Sequence, residues 1–328
     1  MTRKFELANI AIRAVASVVG KKEGAGPLAA LFDVIEQDAM MGQKSWEQAE
    51  GMFLQKAFAL AMSKSSGSVD CAFAGDLMNQ STTASFVMRG MDIPFFGIFG
   101  ACSAYGEGLG LASLLMAGGQ AQRVLVGAAS HFCSAEKQFR FPLELGGQRP
   151  QTSTWTVTGA GAAVLELVGE GEGPFVRAST TGKVIDMGIK DMNNMGAAMA
   201  PAAADTIAEH LKAMGVPPEH YDIIATGDLG YVGQELLFKL LLEKGIDISA
   251  NHRDCGIEMF DRERQDTHSG GSGCACSATV FNALFYPKLK NRELQRILLV
   301  PTGALGNQLT ALQGESIPAI AHAIAIEA

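Results

Sequence analysis

The chain has 328 residues, of which 48% are hydrophobic and only 18% are charged, so a disordered protein and a coiled-coil rod are both excluded. Glycine accounts for 38 residues without a three-residue period, which excludes collagen and indicates many tight turns in an α/β fold. The formal net charge is −8 and the sequence has no basic cluster, so nucleic acid is not an expected partner.

The N-terminal residues 1–12 mix charged and apolar side chains, so we predict no signal peptide. No stretch of the chain has the ~20 consecutive apolar residues of a membrane span. The six cysteines lie mostly within apolar runs and form no secreted disulfide framework, which favours a reducing cytosol. We therefore expect a soluble chain that reaches a membrane only through a partner.

A motif near the middle of each half indicates an internal duplication. The first predicted helix covers residues 45–62, begins with Ser45 and Gln48 as a capping box, and precedes a strand at 69–74. Residues 70–77 then read Asp, four residues, Gly-Asp-Leu, and residues 222–229 repeat that spacing after a second helix predicted over 201–214. The repeat places Asp228 where the first half has Asp76.

A glycine- and serine-rich turn follows in each half and opens another helix. Residues 100–108 form the first turn and residues 267–273 the second, and each helix is followed by an apolar strand segment, at 123–128 and at 296–304. The Gly-Asp-Leu motif, the glycine- and serine-rich turn and the following strand thus occur in the same order in each half, which favours two similar α/β halves. The predicted strands are short and largely apolar, which is typical of strands covered by helices on both faces.

Cys102 is the first candidate functional residue. It follows an apolar strand and precedes an apolar helix, so its sulfur is predicted at a helix N-terminus, where the macrodipole favours a thiolate. The same backbone amides are able to hold a carboxylate of a ligand. The alternative is a small buried thiol without a role in chemistry.

His268 occupies the corresponding turn of the second half. If the two turns meet at the junction of the halves, Cys102 and His268 make the minimum of a nucleophile and its base. Alternatively, His268 is a capping or surface residue. Asp76 and Asp228 end matched strands and either cap helices or make a pocket negative, in which case an anionic ligand needs a cation or a proton.

Other patterns carry weaker signals. The run Gly106-Glu-Gly-Leu-Gly lacks the full spacing of a dinucleotide-binding loop. Cys274 and Cys276 lack a second pair of ligands beside His268, so we predict no metal site. Four aromatic residues flank a glycine-rich segment at 146–150 and either stack on a planar ligand or pack in the core: Phe132, Phe139, Phe141 and Trp155.

With these motifs the chain resembles the thiolase superfamily and, within it, the stage V sporulation protein AD family. The most specific stretches are 99–119, 123–131, 151–164 and 225–230, and the likeness covers essentially the whole chain. It implies an α/β, thiolase-like fold of two pseudo-duplicated βαβαβαββ halves, residues 1–170 and 171–328, in a five-layered αβαβα sandwich. It also implies a homodimer.

The resemblance further implies a non-catalytic protein that binds dipicolinic acid, pyridine-2,6-dicarboxylate, for its movement into the developing endospore. Its expected partners are the other proteins of the stage V sporulation A membrane complex, at the inner membrane of the spore. The expected ligand-binding residues are Asp76, Cys102, Asp228 and His268. No cofactor is expected, although calcium chelated by the ligand would offset the two aspartates.

The departures from active relatives favour this non-catalytic interpretation. Condensing enzymes have a His-Gln-Ala-Asn segment where this chain has Gly227-Asp228-Leu-Gly, and thiolases have a second cysteine near residues 301–306, where this chain has none. Two alternatives stay open. One is an acyl-transferring condensing enzyme, of the ketoacyl synthase III or thiolase type, with Cys102 as nucleophile and His268 as partner. The other is a scaffold within the membrane complex.

Overall fold

The computed structural model describes residues 3–140, 145–169 and 173–328. The predicted boundary between the halves, at residue 170, and the aromatic residue Phe141 lie outside these ranges. In the first half the strands are β1 (Lys4–Glu6), β2 (Ile10–Gly20), β3 (Val34–Glu36), β4 (Cys71–Gly75), β5 (Phe95–Gly97), β6 (Arg123–Ser130), β7 (Trp155–Thr156) and β8 (Gly159–Leu167). The helices there are α1 (Trp46–Ser63), α2 (Thr82–Met88), α3 (Ala104–Ala117) and α4 (Phe132–Phe139).

The second half repeats this alternation of strands and helices. Its strands are β9 (Phe175–Thr180), β10 (Ile223–Thr226), β11 (His252–Asp254), β12 (Gly271–Ser272), β13 (Arg296–Val300), β14 (Thr302–Ala304), β15 (Ala319–Ala321) and β16 (Ala323–Glu327). Its helices are α5 (Met195–Met214), α6 (Gly230–Leu242), α7 (Cys255–Met259), α8 (Cys274–Val280), α9 (Tyr286–Lys290) and α10 (Gln308–Leu312), and a π-helical turn (Phe281–Phe285) joins α8 to α9.

The sheet shows the duplication directly. Its main path consists of two five-stranded arrays, β5-β4-β6-β8-β2 and β11-β10-β13-β16-β9, which have the same strand order. In each array the first three strands of this order are parallel to one another. The fourth strand pairs antiparallel with the third and with the fifth. The arrays meet where Ala11 of β2 pairs with Phe175 of β9. The predicted duplicated α/β fold is therefore confirmed.

The helices form three layers around the two arrays. Helices α1 and α2 pack on the outer face of the first array, and α5 and α6 cover the outer face of the second. Helix α3 contacts β4 and β6 on one side and β9 and β16 on the other, and α8 packs beside it. The largest apolar cluster surrounds these two central helices. The protein thus has the five layers that the resemblance implies.

The glycines of α3 have a packing role. A Cβ on Gly108 would lie 2.7 Å from Val126 of the first array, and a Cβ on Gly110 would lie 2.9 Å from Ser179 of the second. Only a helix without side chains at these positions fits between two sheets at this separation. The run Gly106-Glu-Gly-Leu-Gly therefore allows close packing of the central layer.

Two predicted helix starts compare differently with the structure. Ser45 caps α1 by accepting a hydrogen bond from the Gln48 amide at 3.2 Å, but the Gln48 side chain accepts from the Lys44 amide at 3.3 Å, so only one of the two bonds of the predicted capping box is found among the described residues. Helix α5 begins at Met195, six residues before the predicted start at Pro201. Residues 198–200, which precede the proline, are buried against the second array. Their burial extends the helix towards its N-terminus, beyond Pro201. Among the described residues no helix has both the length and the apolarity needed to cross a bilayer.

We predict that Gly161→Ala destabilises the protein. A Cβ at Gly161 in β8 would lie 2.5 Å from the Cβ of Ala278 in α8, so the central helix would have to move. Overpacking of this kind costs about 1–3 kcal/mol and lowers the midpoint of urea unfolding. Gly169→Ala is the matched control, because apart from its chain neighbours no atom of the described residues lies within 4 Å of its added Cβ. Equal midpoints for both variants would contradict the tight contact.

Candidate functional site

Cys102 lies in a strained turn at the start of α3. Residues Ala101–Ser103 form one turn of 3₁₀ helix, and Ala101 has a left-handed backbone with φ of 48°. Ser103 Oγ donates to the Gly100 carbonyl at 2.6 Å. Strand β14 packs directly on this turn, since a Cβ on Gly303 would lie 2.0 Å from the Gly100 oxygen. Packing from the second half therefore holds the strained backbone in place.

The side chain that meets Cys102 is Asp228. The Cys102 thiol lies close enough to the Asp228 carboxyl for each group to shift the pKa of the other, and the Gly273 amide donates to Asp228 Oδ2 at 3.1 Å. Thr302 Oγ1 donates to Asp228 Oδ1 at 2.8 Å. Both Cys102 and Asp228 are buried. The two halves therefore contribute one group each, a thiol and a carboxyl, to the same contact.

This contact makes Cys102 a neutral thiol. Burial raises the pKa of Cys102 well above its ordinary value, and the negative charge of Asp228 raises it further. Burial also raises the pKa of Asp228 to about 7, although its hydrogen bonds from Cys102, Thr302 and Gly273 oppose the shift. The expectation of a thiolate was wrong, because the partial charge of a helix terminus is small beside desolvation and a carboxyl neighbour.

Asp76 has a different role from its counterpart Asp228. Its carboxyl accepts from the amides of Met78 and Ala84, each at 2.8 Å, so it holds the start of α2. Burial raises the pKa of Asp76 to about 6. Its side chain is fully buried and faces the loop after β4. The helix-capping alternative considered for the aspartates thus describes Asp76, whereas Asp228 faces Cys102.

Sequence reasoning missed Asp254, which anchors the matching helix in the second half. Its carboxyl accepts from the amides of Leu229 and Gly230 at 2.9 and 3.0 Å, at the start of α6. This role leaves Asp228 available for Cys102. Strand β11, which ends at Asp254, has the sequence His-Arg-Asp, so no apolar run marked it as a strand.

His268 lies six residues before α8 rather than at its N-terminus. Its Nδ1 is 2.8 Å from the Pro150 carbonyl oxygen and 3.4 Å from Ser153 Oγ, and its Nε2 is 3.0 Å from Asp266 Oδ1. Gly273 occupies the position next to Cys102 that the repeat predicted for His268. The contacts found within the described residues thus bring Cys102 and Asp228 together and place His268 beside Ser153.

Cys102 and Ser153 both line a cavity. Its polar lining consists of hydroxyl and amide side chains, with one ion pair, Glu136 and Arg140, among the described residues. The other polar lining residues are Ser153, Thr154, Thr156, Asn193 and Ser272, and the apolar ones are Leu77, Ala135, Phe139, Met192, Met195 and Ala304. Glu136, Phe139, Arg140, Met192 and Asn193 also border an outer basin that includes Arg149. The inner cavity has a volume of about 70 Å³ and the outer basin about 570 Å³, so the inner cavity suits one small polar group of a ligand whose remainder lies in the basin.

The flanking aromatic residues divide between these roles. Phe139 lines the cavity. Phe132 and Trp155 stack on each other with ring centroids 3.7 Å apart, and Lys22 and Arg149 lie over Trp155. Phe132 and Trp155 thus contact other side chains of the protein, and of the described aromatic residues in this group Phe139 is the one that lines the cavity. Within the described residues no group of three or more His, Cys, Asp or Glu side chains is arranged to hold a metal ion.

Comparison with known proteins shows the family. The family model described as "Stage V sporulation protein AD (SpoVAD)" matches residues 2–327. Stage V sporulation protein AD of Bacillus subtilis (strain 168) is 42% identical over 322 residues, which cover 97% of this chain and 94% of that protein. The chain belongs to the stage V sporulation protein AD family. The family resemblance found in the sequence is therefore confirmed, and the chain is a sporulation protein.

Solved structures show that this family member has a thiolase-like fold. A 3-oxoacyl-[acyl-carrier-protein] synthase III from Aquifex aeolicus VF5 matches with a TM-score of 0.58 at 14% identity, covering 97% of this chain and 100% of that one. The corresponding enzyme of Pseudomonas aeruginosa PAO1 matches with 0.59 at 15% identity, covering 97% and 98%. A variant of Xanthomonas campestris OleA matches with 0.61 at 14% identity, covering 99% of each chain. At these identities the likeness concerns the fold.

We predict that Asp228→Asn speeds the alkylation of Cys102 by iodoacetamide. Removing the carboxyl charge lowers the pKa of Cys102, and each unit raises the thiolate fraction about tenfold below the pKa. The rate at pH 8, measured by peptide mass spectrometry, should rise about tenfold. Cys133 is the internal reference, because it is half-buried and its thiol faces Glu136 rather than Asp228. Slower alkylation of Cys102 in the variant would show that Asp228 acts as its base.

Proposed function

We propose that the protein binds dipicolinate in the cavity at Cys102 and does not turn it over, and that binding serves dipicolinate uptake into the developing endospore. The observation that carries the proposal is the Cys102–Asp228 contact. A carboxyl neighbour stabilises the neutral thiol, whereas a cysteine nucleophile needs a base or a positive neighbour. A binding role beside the other proteins of the stage V sporulation A membrane complex, at the inner membrane of the spore, is consistent with membership of the family.

The lining of the cavity supports this ligand. Dipicolinate is a flat aromatic ring with two carboxylates. Thr156 and Ser272 offer hydroxyl donors beside Cys102, and Phe139 and Met192 offer apolar contacts for the ring. Small-molecule sites commonly combine an apolar lining with a few placed polar groups.

Calcium is not part of the proposed site. The expected calcium bridge needs Asp76 and Asp228 to face the ligand, but neither is among the described residues that line the cavity. Protein donors already occupy both carboxyls. We therefore propose the free dianion as the ligand, with Asp76 and Asp228 holding the protein framework around it.

Equilibrium dialysis against dipicolinate tests the proposal, with benzoate as the control for non-specific carboxylate binding. We expect saturable binding near one ligand per chain and equal affinity with and without calcium. Cys102→Leu should lose the binding, because its larger side chain fills the base of the cavity. Cys133→Leu is the matched control and should keep it, since Cys133 is not among the described residues lining this cavity.

The outcome that contradicts the proposal is a wild-type protein that binds dipicolinate no better than benzoate. In that case the intact mass after exposure to an acyl-coenzyme A separates the other candidates. An acyl adduct on Cys102 would favour the condensing enzyme, which the fold and the position of Cys102 in the cavity make the second candidate. An unmodified protein would favour a scaffold.

We further propose that the protein is a homodimer formed through β5. This strand ends the first array, and its outer edge has no strand partner among the described residues. Phe96 on β5 is 50% exposed and Phe99 beyond it is 44% exposed. Unpaired edges with exposed apolar side chains readily pair with another chain. An antiparallel pairing of two β5 strands would join the first arrays of two copies.

Phe96→Lys should convert the dimer to a monomer, because it places a charge on the apolar edge. Light scattering after size-exclusion chromatography measures the mass. Leu312→Lys is the control, since Leu312 is also exposed but lies on α10. A wild-type mass of one chain, or a dimer that persists in the Phe96 variant, would overturn this assembly.

A further inference from the structure

The charged groups at the mouth of the cavity point to how the ligand is selected. Glu136 and Arg140 lie one helical turn apart at the end of α4, with Arg140 Nε 2.7 Å from Glu136 Oε2. Both side chains are largely buried, at 21% exposed for Arg140 and 19% for Glu136. Both border the inner cavity and the outer basin. The ion pair therefore lies where the two spaces join.

A second guanidinium, that of Arg149, borders the outer basin. It lies over the ring of Trp155, with 4.8 Å between Cζ and the ring centroid, and one of its amino groups donates to the Thr154 carbonyl. Its Nε is buried and has no hydrogen-bond partner among the described residues. Burial lowers the pKa of Arg149, Arg140 lowers it further, and Glu136 raises it, so these three charges lie close together.

Among the described residues that line the basin, two are cationic and one is anionic. The guanidinium groups of Arg140 and Arg149 lie there with one carboxylate, that of Glu136. Two further charges act on Arg149 from outside the basin, Lys22 and Asp266, and they are of opposite sign. A partly buried guanidinium without a full set of acceptors is unfavourable, and a carboxylate of a ligand relieves that cost.

We propose that the ion pair of Glu136 and Arg140 opens when ligand binds, so that one carboxylate of the ligand replaces Glu136 on Arg140 while the other enters the neutral inner cavity. The inference rests on the proposed function and extends it to the class of ligand. A planar dicarboxylate satisfies both the hydroxyl-lined interior and the cationic mouth, whereas a monocarboxylate satisfies only one. The site therefore selects dicarboxylates, because Arg140 binds the second carboxylate.

Glu136 is a competitor for the ligand in this arrangement. In the free protein it occupies the acceptor position that the ligand needs, and it repels an incoming anion. Removing its charge should therefore tighten binding, whereas removing the charge of Arg140 should weaken it. A purely structural ion pair behaves differently, because breaking it from either side disturbs the same helix end and shifts affinity in the same direction.

The test measures dissociation constants of dipicolinate and of picolinate, pyridine-2-carboxylate, by calorimetry for four full-length proteins. These are the wild type, Arg140→Gln, Glu136→Gln and the double variant. We expect Arg140→Gln to weaken dipicolinate about tenfold or more and to change picolinate less than about threefold. Glu136→Gln should tighten dipicolinate about threefold or more, and this gain should vanish in the double variant. Melting temperatures establish that each variant is folded.

The outcomes separate this inference from the proposed function. If the wild type binds dipicolinate but Arg140→Gln weakens both ligands equally, or Glu136→Gln weakens dipicolinate, the exchange is overturned while the binding function stands. If the wild type binds neither ligand, the proposed function fails and the exchange fails with it. Should Arg140→Gln unfold, Arg140→Lys replaces it. That variant keeps the charge but loses the planar fork, so it should retain part of the preference for dipicolinate.

Discussion

A buried carboxyl organises the junction between the two halves of this protein. Asp228 follows β10, accepts hydrogen bonds from Thr302 on β14 and from the Gly273 amide before α8, and lies beside the Cys102 thiol before α3. Water is excluded there, so the carboxyl depends on these donors and each donor depends on its segment staying in place. The strained turn at Cys102, the start of α8 and the β14 strand are thereby held against one another. These three segments contribute Cys102, Ser272 and Ala304 to the lining of the cavity.

The two halves have similar backbones, but the side chains at the site make different contacts in each half. Both arrays have the same strand order, and Asp76 and Asp228 follow corresponding strands. Asp76 nevertheless holds the start of α2, whereas Asp254 performs that task for α6 and leaves Asp228 facing Cys102. Two similar halves thus build an asymmetric site, because one additional carboxyl changed which group the repeated aspartate contacts. The fold is shared with condensing enzymes, and in this chain a carboxyl lies beside the cysteine.

The distribution of charge along the cavity is consistent with the proposed binding role. Among the described residues, the inner part has hydroxyl and amide groups around the Cys102 thiol, and the charged side chains at the mouth are those of Glu136, Arg140 and Arg149. Charged groups are less costly at a mouth than at the base of a closed cavity, because water still reaches them in the free protein. A ligand with one carboxylate inside and one at the mouth uses both environments. The exposed edge of β5 lies on a different part of the same half and is available to a second copy.

The sequence alone determined the duplicated α/β fold, the order of helices, turns and strands along its repeated motif, the family resemblance, and the position of Cys102 just before a helix. These follow from local periodicity, glycine turns and capping residues, which depend on neighbours along the chain. The tertiary structure decided that Asp228, and not His268, meets Cys102. That choice depends on where α8 begins. Only glycine fits there, because Gly273 has a φ of 102° and a Cβ on it would lie 2.6 Å from Ser130 Oγ and 3.0 Å from Thr156 Cγ2 in the other half. It also decided that Glu136 and Arg140, an ordinary helical pair in sequence, border a cavity, because the packing of two sheets on α3 and α8 sets distances between residues far apart in the chain.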